Sequence, residues 1–186
     1  VLIDIPKDVQ CAFLECSDLP EPGVSGTPPA PDNKALVAAA EAINRAERPI
    51  FFFGGGSASP QTAAVARELV ERHGIPAAMS FQGLGVIPIG HELSLGMLGM
   101  HGARSTNLLM EECDLLVVVG ARFDDRATGR MERFCPDARI IHSDIDAGEI
   151  GKLREVHIGL TSDAGTALRG PIPLLRRQRR ESWLEM

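Results

Sequence analysis

The segment Val117–Arg126, VVVGARFDDR, runs apolar to a glycine and then delivers Arg122, Arg126, Asp124 and Asp125 to one point. Charges carried to the end of a buried strand reach the rim where open parallel sheets collect their ligands. Three other segments offer related chemistry. Gly54, Gly55 and Gly56 stand before Ser59 and Pro60. Such glycines let backbone approach a ligand closely, and the helix start behind them supplies free amides and partial positive charge, which suits a diphosphate. The same residues equally suit a tight strand-to-helix turn. Gly54-x-Gly56-x-x-Ser59 lacks the third glycine of the NAD fingerprint, and the acidic residue that fingerprint places about twenty residues on is missing.

The SDID segment sets Asp144 and Asp146 two apart at a strand end, where carboxylates accept from ribose hydroxyls or an adenine amino group. Asp146 can alternatively cap a helix, with Glu149 three residues on in a capping-box relation. Two acids without a third ligand make a poor metal site, so no metal is assigned here. In LGMLGMHG, the thioethers of Met97 and Met100 suit the face of a flat aromatic ligand or fill a core, and His101 has the same two options. Ser80, Phe81 and Gln82 follow a further apolar run. On physical grounds these residues point to a nucleotide-type cofactor of dinucleotide size.

The elements that must position them follow from periodicity and punctuation. Asp32 is a good N-cap for a helix with Leu36, Ala39, Ala40, Ile43 and Ala46 on one face, ended by Pro49. IFFF reads as a strand; Ser59 caps a second helix with Pro60 at its first position and Gly74 at its end. IPAAMSF, LLVVVG and ARIIHSDID read as strands, and LGMLGMHGARSTNLLMEECD as a loop running into a helix. The strands lack polar alternation, so both sheet faces are covered, and the fold class is α/β with an open, mainly parallel sheet flanked by helices. Residues 1–10 open with a strand-like VLIDIP that belongs to a preceding domain, and 11–31 is a Pro-, Gly- and Ser-rich linker. Residues 32–170 form the domain, and 171–186 make a second linker whose basic run is a solvated exit segment.

Composition narrows the partners. A net charge of -6 excludes a general binder of nucleic acid or anionic membrane, and aromatics at 4% exclude a base-stacking platform. No apolar run approaches the roughly 20 residues of a membrane span. Cys11, Cys16, Cys113 and Cys135 show neither CxxC pairing nor zinc spacing, and read as reduced thiols.

FFFGGG, FQGLGVIP, LGMLGMHG, ECDLLVVVGARFDDRATGRM and IIHSDIDAGEIGK, in this order, closely resemble the central domain of the acetolactate synthase (acetohydroxyacid synthase) large subunits. The resemblance implies a Rossmann-like central domain of a thiamine-diphosphate enzyme, carrying FAD. By position, Gly54, Gly55, Gly56, Ser80, Phe81 and Gln82 would meet its phosphate–ribitol region. Leu98, Gly99, Met100, His101 and Gly102 would lie along the flavin. Gly120, Arg122, Asp124 and Arg126 would surround the middle, with an aspartate orienting an arginine. Asp144, Ile145, Asp146 and Asp163 would hold the adenosine end. Met100, Asp125 and Arg126 would also border the mouth of the substrate channel. Ala103 and Ser143 depart from the family, which often has threonine and an apolar residue there.

The resemblance also implies a transferase of branched-chain amino-acid biosynthesis that condenses two 2-keto acids, pyruvate with pyruvate or 2-ketobutyrate, with loss of CO2. Such an enzyme is cytoplasmic and homo-oligomeric, and a regulatory small subunit can join it. Thiamine diphosphate and Mg2+ belong to other domains, no catalytic residue is assigned to this chain, and the fragment alone is expected to be inactive. The reaction has no net redox, which gives the flavin a structural role. Two other enzymes stay open as readings: a thiamine-diphosphate decarboxylase whose middle domain holds ADP or nothing, and a nucleotide-dependent oxidoreductase. A free-standing binding module is a third.

Overall fold

A computed structural model describes residues 3–18, 21, 23, 26–178 and 180–185. The strand expected in VLIDIP is not formed among its described residues: residues 3–6 are exposed and pair with no strand, and α1 (Lys7–Gln10) is a single helical turn. Residues 11–18 are likewise exposed and irregular.

The body of the fold opens at the Asp32 cap read from the sequence. The Asp32 carboxylate accepts from Lys34 N–H and opens α2 (Asn33–Arg45), which buries Leu36, Ala39, Ala40, Ala42 and Ile43. β1 (Pro49–Phe53) is buried throughout. A single 3-10 turn at Gly55–Ser57 leads to α3 (Pro60–His73), capped by Ser59 and closed by Gly74 in the left-handed region at φ 59°. β2 (Ala77–Met79), β3 (Ser94–Met97), α4 (Arg104–Glu112), β4 (Leu115–Val119), α5 (Asp125–Thr128), β5 (Arg139–Asp144), β6 (Ile158–Thr161), α6 (Ala164–Arg169) and α7 (Glu181–Leu184) complete it. Ala103 occupies the N-cap of α4 and supplies no side-chain acceptor to it.

All six strands are parallel, in the order β3-β2-β1-β4-β5-β6. This is the winding of dinucleotide-binding sheets, with its switch point between β1 and β4. Both faces are covered, as the unbroken apolar strands require. Phe51, Phe53, Met79, Val117, Val119 and Ile141 pack with α2, α3 and α6, the first two rings stacked at 5.3 Å. Ile50, Phe52, Leu116, Val118 and Ile140 face Met110, Phe123, Phe134 and Trp183.

Three features differ from the sequence reading. β3 was expected as loop; its residues are only half-buried, Gly96 sits at φ +71°, and its pairing shifts register opposite Ala77 and Ala78. A broken outer strand of this kind leaves no apolar run to read. β6, four residues long with Gly159 in it, forms the other edge and was not anticipated. The basic tail is not wholly solvated. The Arg180 guanidinium, 8% exposed, donates to Ile43 O, Ala46 O and His73 O at 2.9, 3.0 and 3.2 Å. These carbonyls end α2 and α3, where a cation is favoured by both hydrogen bonding and the helix dipole. Trp183 is buried beside it and donates its indole N–H to Pro49 O at 3.2 Å. Sequence composition registers the charge of this segment but not the uncapped carbonyls waiting for it. Arg179 lies outside the described residues.

The thiols of Cys113 and Cys135 are buried and unbridged, and the neighbouring Cys113 together with burial pushes the Cys135 thiol well above its usual range. Ser143, 2% exposed, has no hydrogen-bond partner for its hydroxyl among the described residues and borders a small apolar void of about 20 Å³ shared with Phe51, Val117 and Leu168. An unsatisfied buried hydroxyl is costly. Ser143→Val is therefore expected to stabilise the fold by about 1 kcal/mol, one methyl replacing the hydroxyl and the other entering the void. A urea midpoint unchanged or lowered by the substitution would contradict this.

Candidate functional site

Six strand ends open onto one groove of about 760 Å³. Five inter-strand steps of about 4.8 Å give it a span of roughly 24 Å. At its centre the exits of β1 and β4 are laced together: Gly54 N–H reaches Val119 O, Gly56 N–H reaches Gly120 O, both at 3.0 Å, and Ser57 Oγ reaches Val119 O at 2.8 Å. Gly55 and Gly56 line the groove. Gly54 does not; it is the spacer, since a Cβ there would lie 2.2 Å from Gly120 O.

Beyond β2, Ser80, Phe81 and Gln82 line the groove, with the Ser80 hydroxyl accepting from Gly83 N–H and the Phe81 ring 73% exposed on the rim. The loop after β3 is split. Met97, Leu98 and His101 face the groove, while Gly99 and Met100 line a second hollow of about 380 Å³. Asn107 clasps the Gly99 peptide from both sides, at 2.8 and 3.0 Å, and Met100 N–H donates to Arg126 O at 2.8 Å. Gly102 lines neither cavity; Met97 O would stand 2.3 Å from its Cβ. So of the two methionines, Met97 meets the groove and Met100 turns out of it.

After β4, Gly120, Arg122, Asp124 and Arg126 all line the groove. Asp124 does not orient an arginine. One carboxylate oxygen accepts from Arg126 N–H and Ala127 N–H, both at 3.1 Å, and so caps α5. Four residues on a tight turn place the carboxylate nearer to free amides than to either guanidinium. Among the described residues, neither Arg122 nor Arg126 has a carboxylate within ion-pairing distance. Both cations thus remain available to an anion. Asp125 is exposed and outside the groove lining.

At the far end Asp144, Ile145 and Asp163 line the groove and Asp146 does not. Asp144 accepts from Asp146 N–H at 2.9 Å, and Asp146 in turn from Gly148 N–H at 2.8 Å. No helix follows, so the capping box with Glu149 is not formed; Glu149 pairs instead with Lys152 at 2.7 Å. Asp163 caps α6 through Thr166 N–H. Ala121, Ala127, Ser162 and Ala164 also line the groove and were not anticipated. Recognising TSD as a strand end followed by an N-cap would have found the last two.

The groove is therefore graded. Its β2–β3 end sets Phe81, Met97 and Leu98 beside the polar Ser80, Gln82 and His101, its middle has close backbone and two guanidiniums with no carboxylate in ion-pairing distance among the described residues, and its β5–β6 end carries carboxylates. A flat ring, a diphosphate and a ribose-linked base would each find matching chemistry in that order. Among the described residues no helix is long and apolar enough to cross a membrane.

Residues 36–170 match the family described as thiamine pyrophosphate enzyme, central domain. Over all 186 residues the chain is 46% identical to the acetolactate synthase isozyme 1 large subunit of Escherichia coli, covering 33% of that protein. It is 40% identical, again over its full length, to the acetolactate synthase large subunit of Parasynechococcus marenigrum, covering 31% of it. Over 90% of the chain it is 41% identical to the Corynebacterium glutamicum large subunit, covering 27%. The chain spans about a third of the length of the curated relatives it matches.

Proposed function

The chain belongs to the thiamine pyrophosphate enzyme family as a central domain, and from that premise we propose that its groove holds FAD within an acetolactate synthase large subunit. The carrying observation is the length and grading of the groove. ADP would fill the carboxylate end and the middle but leave the Met97, Leu98 and Phe81 end unoccupied, whereas a flavin dinucleotide matches all three regions. Gly55, Gly56, Ser80 and Gln82 would receive the phosphate–ribitol part, and Met97, Leu98 and His101 the flavin. Arg122 and Arg126 would offer donors to the anionic middle, and Asp144 and Asp163 acceptors to the adenosine end. Bound there, FAD would tie six loops together and supply no redox chemistry to a condensation that needs none.

The whole enzyme would join two 2-keto acids with loss of CO2 in the cytoplasm, using thiamine diphosphate and Mg2+ held by other domains. It would work as a homo-oligomer, with a regulatory small subunit as a possible companion. Met100 and Asp125, turned outward beside Arg126, would border the route of the substrate. The reading is tested by titrating FAD, with ADP as competitor, against the full-length protein. Arg122→Ala, which removes a charge-assisted contact, is expected to weaken FAD binding roughly 10- to 100-fold. Unchanged affinity in that variant would remove Arg122 from the site; ADP binding as tightly as FAD would overturn the flavin assignment.

A further inference from the structure

Beneath the groove lies a polar side chain that none of the proposed ligand contacts uses. β4 and β5 pair in register as far as Val119 and Ser143, and Gly120 N–H still reaches Ser143 O at 2.9 Å. Gly120 then turns at φ +59° and the chain leaves the sheet. Ala121 O, past the last strand partner, lies 3.0 Å from Nε2 of His142, whose side chain is fully buried. A carbonyl can only accept, so Nε2 carries the proton and Nδ1 the lone pair, which meets no donor among the described residues. Burial holds this imidazole below its usual pKa, against opposing contributions from Ala121 O, Asp144 and Glu149. It is a neutral ring with one fixed donor.

The same ring stands edge-on to Phe123, centroids 5.2 Å apart and planes at 82°, and Phe123 leans in turn on Phe134 at 6.1 Å. Residue 121 is thus held by its carbonyl and residue 123 by its ring, both from one imidazole. Arg122, between them, is exposed and lines the groove. We propose that His142 is the positioning residue for Arg122, fixing the backbone on either side so that the guanidinium is presented to the anionic part of the ligand. The inference rests on reading the groove as an FAD site.

Two amides of different reach test it in the full-length enzyme. The Gln side chain can bring its N–H close to where Nε2 stands, while the Asn amide falls a bond short. His142→Gln is expected to keep the FAD dissociation constant within about 3-fold of the parent, and His142→Asn to raise it about 10-fold. In an Arg122→Ala background, His142→Asn should cause less than about a 2-fold further change, because its effect passes through the arginine. Equal losses in both backgrounds, or no loss with Asn, would overturn the proposal. Should the Asn variant fail to fold, His142→Met, of comparable volume and without a donor, takes its place in the same cycle. A parent enzyme that binds no FAD would refute the groove assignment itself, a result visible before any substitution at position 142.

Discussion

Gly54→Ala is expected to cost about 3 kcal/mol or more and to abolish FAD binding, through lack of space alone. The backbone at Gly54 is ordinary, with φ -104°. A methyl there would meet Gly120 O at 2.2 Å, Ala121 Cα at 2.4 Å and Ala121 Cβ at 2.5 Å. Two of these atoms are main chain and the third is a rigid methyl, so no rotamer relieves the contact. Overpacking a core typically costs about 1–3 kcal/mol when side chains can move, and here the β4 exit itself must move. That displacement would carry Arg122 and Asp124 with it and break the bonds from Gly54 and Gly56 across the switch point. Gly90→Ala is the control, because nothing lies within 4 Å of a Cβ at that site. Urea unfolding followed by circular dichroism, with FAD titration alongside, should separate the two variants clearly. A Gly54→Ala protein with parental stability would mean that the strand exits are not interlocked as described.

The second large effect belongs at the opposite end of the central strands, where β1 begins. Trp183 is 4% exposed and packs on the face formed by Ile50, Phe52 and Leu116. Trp183→Ala is expected to destabilise by about 3–5 kcal/mol, the usual range for deleting a buried large aromatic. The loss includes the donor to Pro49 O, the first residue of β1. Because this is the single tryptophan of the chain, its fluorescence reports docking of the tail in the parent, and circular dichroism must follow the variant. A loss below about 1 kcal/mol would show that the tail adds little to the domain.

Punctuation made much of this architecture legible. Asp32, Ser59–Pro60 and Gly74 act through local hydrogen bonds and backbone preferences, so their roles were readable without knowing any neighbour. The wholly apolar β1 and β4 announced a sheet covered on both faces. The edge strands were not legible, because half-buried residues and glycines leave no pattern to detect. Within the site, the segments were readable but the directions of individual side chains were not. Whether Met97 or Met100 enters the groove depends on the turn at Gly99, which Asn107 sets from eight residues away. Asp124 and Asp146 went to backbone amides because their own loops satisfied them first. His142 was invisible as a functional candidate, since its partners, Ala121 and Phe123, are brought to it only by the pairing of β4 with β5.

The break in β3 has a consequence for how the molecule behaves in company. A parallel sheet with helices on both faces leaves only its two outer strands able to pair with a foreign chain, and long straight edges template aggregation. Here one edge is kinked at Gly96 and shifts register after Ala77, and the other is four residues long. Neither presents a regular row of donors and acceptors long enough to recruit another strand, so the irregularity that hid β3 from sequence reading also discourages self-association through the sheet.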